Sequence, residues 1–147
     1  MQLTGIYHTG FTVSSLERSI AFYRDLLGMH LMHRQEGTAP YLAAVTGFPA
    51  VRLQVALLKR TPDDPHTLEL LQYVSHPAEP TDRATNRPGN GHLCFKVDDI
   101  QAWYQRLSAH GVQFISEPAE RPYGTEAVFK DNSGNWFSLT QPKEDPS

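Results

Sequence analysis

The chain lacks what would tie it to an oxidising, membrane or nucleic-acid setting. It has a single cysteine, Cys94, so an internal disulfide and a cysteine-rich zinc site are both excluded. At 147 residues it is long enough to bury a core without such staples. No apolar run approaches the roughly 20 residues that cross a bilayer. Residues Met1–Gly5 lack the charged and apolar regions of a secretory signal. Basic residues are not in surplus: 13 Lys and Arg stand against 16 Asp and Glu, a net charge of −3. No basic stripe alternates with aromatics, so the electrostatic footprint of a nucleic-acid partner is missing. With 39% hydrophobic and 20% charged residues the composition is that of a globular, not a disordered, chain. The expectation is a cytoplasmic protein with no nucleic-acid and no membrane partner.

What is present is an internal repeat. His8-Thr9-Gly10-Phe11-Thr12-Val13-Ser14-Ser15-Leu16 matches His92-Leu93-Cys94-Phe95-Lys96-Val97-Asp98-Asp99-Ile100 at an offset of 84 residues, 8 to 92. Each copy then starts a helix. Capping boxes are expected at Ser14/Glu17 and at Asp98/Gln101. Apolar residues follow at helical spacing: Leu16, Ile20, Tyr23 and Leu27, then Ile100, Trp103, Tyr104 and Leu107. Gly28 and Gly111 stand where each helix should stop.

Further strands are expected at Leu31–Gln35, Val51–Leu58 and Leu68–Tyr73, and at Gln113–Ile115, Ala127–Phe129 and Trp136–Gln141. Turn residues cluster at Thr61–Pro65 and Asp131–Gly134. Each half therefore reads strand–helix–strand–strand–strand, with modules at 1–75 and 91–142. A Pro-, Gly- and polar-rich connecting loop at 76–90 separates them, and a tail occupies 143–147.

Strand parity selects the side chains that can meet. His8, Gly10 and Thr12 share one face, as do His92, Cys94 and Lys96; Phe11 and Val13, and Phe95 and Val97, take the helix side. The last strands align at an offset of 69 residues, 69 to 138. Leu68 and Leu70 then match Phe137 and Leu139 under the helices. Glu69, Leu71 and Tyr73 match Trp136, Ser138 and Thr140 on the other side. If the halves pair about a pseudo-two-fold axis, His8, His92 and Glu69 converge. Two imidazoles and a carboxylate make a three-ligand metal set with open positions. His30 and His33, an odd number apart, should face opposite sides and make poor co-ligands.

This pattern resembles the vicinal oxygen chelate superfamily, which includes glyoxalase I, methylmalonyl-CoA epimerase, extradiol dioxygenases, and fosfomycin- and bleomycin-resistance proteins. The carrying residues are His8 with Phe11–Leu16, Ile20–Met29, Leu68–Leu70, Gly91–Leu93, Val97–Ile100 and Asp131–Leu139. The resemblance implies an α+β fold of two βαβββ modules, whose half-barrel sheets surround a metal cavity. It also implies a homodimer, with modules paired within or across chains. His8, Glu69 and His92 fall on three of the family's four metal positions. The fourth is Ser138, where glyoxalase I and the epimerases place Glu.

The expected cofactor is one divalent transition ion: Zn, Ni, Co, Mn or Fe. The expected partner is a small oxygen-rich substrate chelated through vicinal oxygens, and the expected activity a glyoxalase-like lyase or isomerase. Moving a proton beside a carbonyl needs a base, and Ser138 is too weak a base to serve; Glu69 and Tyr123 are the catalytic candidates. Tyr73, Trp136, Ser138 and Arg52 are the substrate-binding candidates. Two alternatives stay open. One is an Fe(II) ring-cleaving dioxygenase, since two His and one carboxylate also form that facial triad. The other is a non-catalytic small-molecule-binding or resistance protein.

Overall fold

The computed structural model describes residues 1–144; the last three residues of the expected tail lie outside that range. The chain divides after Glu79 into two compact units, and each carries one copy of the repeat.

The first unit begins with β1 (His8–Thr12) and α1 (Leu16–Ile20), which runs on as a π-helical stretch, Ala21–Leu26. The wider turn shows in the Leu27 amide, which donates to the Phe22 carbonyl five residues back, 3.1 Å away. Gly28, at φ +76, closes the helix as expected. Then come β2 (His30–Gly37), a short α2 (Tyr41–Thr46) that periodicity did not announce, β3 (Leu53–Lys59) and β4 (Thr67–Tyr73). The sheet order is β1-β4-β3-β2, with β1 parallel to β4 and the other pairs antiparallel.

The second unit repeats the plan with β5 (His92–Lys96), α3 (Ile100–Ala109), β6 (Ala119–Arg121), β7 (Gly124–Lys130) and β8 (Trp136–Pro142), ordered β5-β8-β7-β6. The strand expected at Gln113–Ile115 shrinks to one bridge, Phe114 to Phe129. Pro118 and Pro122 lack the amide a strand needs, so the edge is left to three-residue β6 between them. No helix among the described residues is long and apolar enough to cross a membrane.

Each unit packs a core on the helix side of its sheet, and the first buries a second cluster, Val51, Leu53 and Val55, on the other side. In the first, Leu16, Ile20 and Tyr23 pack on Ala56, Leu58, Leu68 and Leu70, all buried. In the second, Ile100 and Leu107 meet Ala127, Phe129, Phe137 and Leu139. Phe129 and Phe95 stack on Phe137 at centroid distances of 5.9 and 5.8 Å. Each such ring contributes roughly 2 kcal/mol by leaving water.

The repeat extends to the hydrogen bonding. The helices start one residue later than the expected capping boxes: Ser15 accepts from the Arg18 amide, and Asp99 from the Ala102 amide. The reason is that Val13 and Val97 are still tied to the sheet, donating to Leu71 and Thr140 carbonyls. The next free helix amides, Leu16 and Ile100, donate to the side chains of Gln72 and Gln141 at 2.7 and 3.0 Å. A strand glutamine thus caps the helix in each unit. Replacing Gln72 or Gln141 by alanine should cost about 1 kcal/mol each, read as a lower urea midpoint at unchanged slope. An unshifted midpoint would show the caps to be idle.

Candidate functional site

Backbone register fixes which side chains share a face. In the first unit His8 pairs with Thr67 and Gly10 with Glu69; in the second His92 pairs with Trp136 and Cys94 with Ser138. The offsets of 84 and 69 residues noted above are both kept, so His8 and His92 are equivalent, as are Glu69 and Ser138.

His8 and Glu69 stand together on the side of the first sheet away from α1. Nε2 of His8 is 3.8 Å from Oε1 of Glu69. Donors about 2.1 Å from a common ion lie roughly 3–4 Å apart, so the pair has the right separation for two ligands. Gly10 lies between them; a Cβ there would meet the Glu69 carboxylate at 3.6 Å, so glycine keeps the space above the carboxylate open. Within neither unit do three or more described His, Cys, Asp or Glu gather into a metal-binding group. The first unit thus brings two of the three candidate ligands together.

Much of this face is apolar. Leu53, Val55, Leu57, Leu71 and Tyr73 line it, with Leu42 of α2 packed against them. Phe48 meets the Tyr73 ring edge-on at 5.9 Å. Tyr73 therefore walls the same face as Glu69. Arg52 does not join it. Its guanidinium is paired with the Glu36 carboxylate, and its neighbour Gln54 pairs with Gln72 on the helix side.

β2 departs from the alternation expected of it. Its register slips between Leu31 and His33, so His30 opposes Lys59 and His33 opposes Leu57. Lys59 and Leu57 share a face, so the bulge at Met32 brings both imidazoles to the Glu69 side instead of opposite sides. His66 is elsewhere: its Nε2 meets Thr9 Oγ1 at 2.7 Å, on the opposite side of β1 from His8.

In the second unit His92, Cys94 and Lys96 share the face away from α3 with Trp136, Ser138 and Thr140. The Trp136 indole N–H donates to the Arg83 carbonyl at 2.5 Å, so the connecting loop is pinned to β8. Lys130 Nζ lies 4.6 Å from the indole centroid. Ser138 is 1% exposed, and its hydroxyl oxygen has no hydrogen-bond partner. Leaving a buried hydroxyl unpaired costs about 1–3 kcal/mol, which a bound water or ligand oxygen would recover.

One residue on this face escaped the sequence reading. Glu126 opposes Thr140, so it shares the side of Ser138 and His92. The expected strand began at Ala127 and left it out; the signal available was the alternation of Glu126, Val128 and Lys130 against buried Ala127 and Phe129. Tyr123, in the β6–β7 turn, donates its hydroxyl to Glu126 Oε2 at 2.5 Å. That hydrogen bond, helped by desolvation and the carboxylate charge, holds the Tyr123 pKa above the usual phenol value. The phenol therefore stays protonated and donating through the neutral range. Tyrosinate absorbance during alkaline titration should show one ring ionising later than in Glu126→Gln, where it should move back toward 10. The contact favours folding below the ordinary tyrosine pKa, and that advantage is lost as pH rises through the raised value.

Comparison with known proteins agrees with this architecture. Residues 5–139 match the model of the Glyoxalase/Bleomycin resistance protein/Dioxygenase superfamily. A lactoylglutathione lyase of Pseudomonas aeruginosa is 29% identical, over 91% of this chain and 80% of its own. A probable lactoylglutathione lyase of Vibrio cholerae is 30% identical, over 95% and 91%. A glyoxalase-family crystal structure from Bacillus cereus superposes with a TM-score of 0.86 at 23% identity, covering 97% of this chain and 96% of that one.

Proposed function

Because the chain belongs to the Glyoxalase/Bleomycin resistance protein/Dioxygenase superfamily, we propose that it is a divalent-metal-dependent lyase or isomerase of the glyoxalase type. Its substrate is a small oxygen-rich molecule such as the adduct of a thiol with a 2-oxoaldehyde, and its expected assembly is a homodimer. The observation that carries the reading is the His8–Glu69 pair, 3.8 Å apart beside an apolar wall. The two relatives named as lactoylglutathione lyases support the same chemistry.

In this reading His8, Glu69 and His92 hold the ion. When bound, the ion supplies Lewis acidity to the substrate's vicinal oxygens. The chain's own residues do the rest. Leu57, Leu71 and Tyr73 form an apolar wall that excludes water from one side of the substrate. Ser138 offers its unpaired hydroxyl to a substrate oxygen. Trp136, fixed through Arg83, forms a second wall beside His92. A proton must leave one carbon and return to its neighbour, with Glu69 and Tyr123 as the groups first suggested for it.

The test is turnover of methylglyoxal with glutathione by protein loaded in turn with Zn, Ni, Co, Mn and Fe(II). Formation of S-lactoylglutathione without oxygen uptake is the expected result. Oxygen consumption on catechols with Fe(II) would replace the reading with a dioxygenase. Tight ligand binding by metal-free protein, with no turnover, would replace it with a binding protein.

A further inference from the structure

Arg24, Arg34, Arg52 and Arg60 of the first unit are each paired with a carboxylate. Lys59, half-buried at the end of β3, has no such partner among the described residues. Its place is fixed by register. Leu58 opposes Leu68, so Lys59 stands opposite Thr67 on one side and His30 on the other. One row across the Glu69 face therefore reads His8–Thr67–Lys59–His30, and the next Gly10–Glu69–Leu57–His33. Lys59 is a diagonal neighbour of Glu69 and the direct neighbour of His30. Such Cβ atoms lie roughly 7 Å and 5 Å apart.

Charge on this face is one-sided. Its described strand residues include Lys59 and the imidazoles of His8, His30 and His33, but a single carboxylate, Glu69, which has His8 beside it. Glu36 opposes Gln54 and points the other way. A half-buried ammonium has lost part of its hydration with no charge in return, and an anion would restore the balance. Lys59 and His30 both offer N–H groups, and neither side chain has a partner among the described residues. His33 is tied to Gln35, Nε2 to Oε1 at 3.1 Å, and flanks the pair. At the other end of the same strands stand Leu53, Leu71 and Tyr73. The face thus grades from charged to apolar, with Glu69 between.

We propose that Lys59 and His30 form a receptor for an oxyanion, and that the substrate is accordingly an acid. It carries a carboxylate or phosphate a few atoms away from its vicinal oxygens. Calling this ligand the substrate rests on the function proposed above; the receptor itself needs only the first unit. The grading also orients the molecule, with its anionic end toward Lys59 and any apolar substituent toward Tyr73.

The experiment titrates the full chain, as purified, with S-methylglutathione, its dimethyl ester and glycerol 3-phosphate. Wild type should bind the free acid about tenfold more tightly than the ester, or bind glycerol 3-phosphate where the ester fails. The first result names a carboxylate, the second a phosphate. Lys59→Gln should bring that advantage down to about twofold or less, and His30→Gln should cut it about threefold. Arg34→Gln removes a charge from the helix side of the same sheet and should keep it. A wild type indifferent to anionic charge overturns the proposal. An advantage that survives Lys59→Gln also does, because the anion is then held elsewhere. One lost equally in Arg34→Gln does so too, because net charge then explains it. In the carboxylate case, Lys59→Gln should raise KM for the methylglyoxal–glutathione adduct about tenfold and move kcat less than about threefold. Charge selectivity in a protein that turns over nothing upholds the receptor and removes only the reaction; turnover without selectivity does the reverse. Should Lys59→Gln not fold, His30→Gln decides: an unchanged ratio refutes the pair.

Discussion

Glu69→Ala should bind divalent metal at least about 100-fold more weakly than wild type and should lose the proposed activity with it. Removing a partner one shell further out already costs 10–100-fold in typical sites, so losing a direct ligand costs no less. The position leaves no local substitute. Its neighbours on that face are Gly10, Leu57 and Leu71. His8 would be left without its carboxylate partner. The fold should barely notice, because the Glu69 side chain is 25% exposed and its partner His8, on edge strand β1, is 44% exposed, so solvent screens the pair. Metal content after dialysis, together with the urea midpoint, separates the two effects. His66→Ala is the control: its ring bonds Thr9 on the far side of β1, so metal content should not change. Equal metal content in Glu69→Ala and wild type would remove the proposed ligand set.

The largest effect on stability is expected at Gly124. Its φ is +151, and a Cβ there would lie 2.3 Å from the Gln141 carbonyl oxygen and 2.8 Å from the Pro142 Cα. Both obstacles are backbone, so neither can swing aside. Gln141 also caps α3, and a shift of β8 at that point pulls the cap with it. Gly124→Ala should cost about 3 kcal/mol or more, combining steric overlap with a backbone conformation that side chains resist. Denaturant unfolding gives the value. A loss below about 1 kcal/mol would mean that the β7–β8 pairing is looser than its register suggests.

The pattern that made the fold readable was repetition with a phase. The His-x-x-Phe-x-Val motif gave the first strand of each unit, and parity alone put His8 and Glu69 on one face. Gln72 and Gln141 were aligned by the repeat, yet their capping role was hidden, because a strand side chain reaching a helix is not a local feature. For the same reason the capping boxes were placed one residue early: local spacing does not show that Val13 and Val97 remain bonded to the sheet. Glu126 was missed because a three-residue apolar core, Ala127–Phe129, marked only the middle of a seven-residue strand. α2 carries no amphipathic period long enough to announce it, being six residues.

The bulge in β2 has an effect out of proportion to its size. The bulge works as a phase shifter: were Met32 paired in strict alternation, His30 would turn toward the helix layer while His33 stayed beside Leu57. Leaving one residue of an outer strand out of the pairing thus keeps two imidazoles on the margin beside the Glu69 carboxylate.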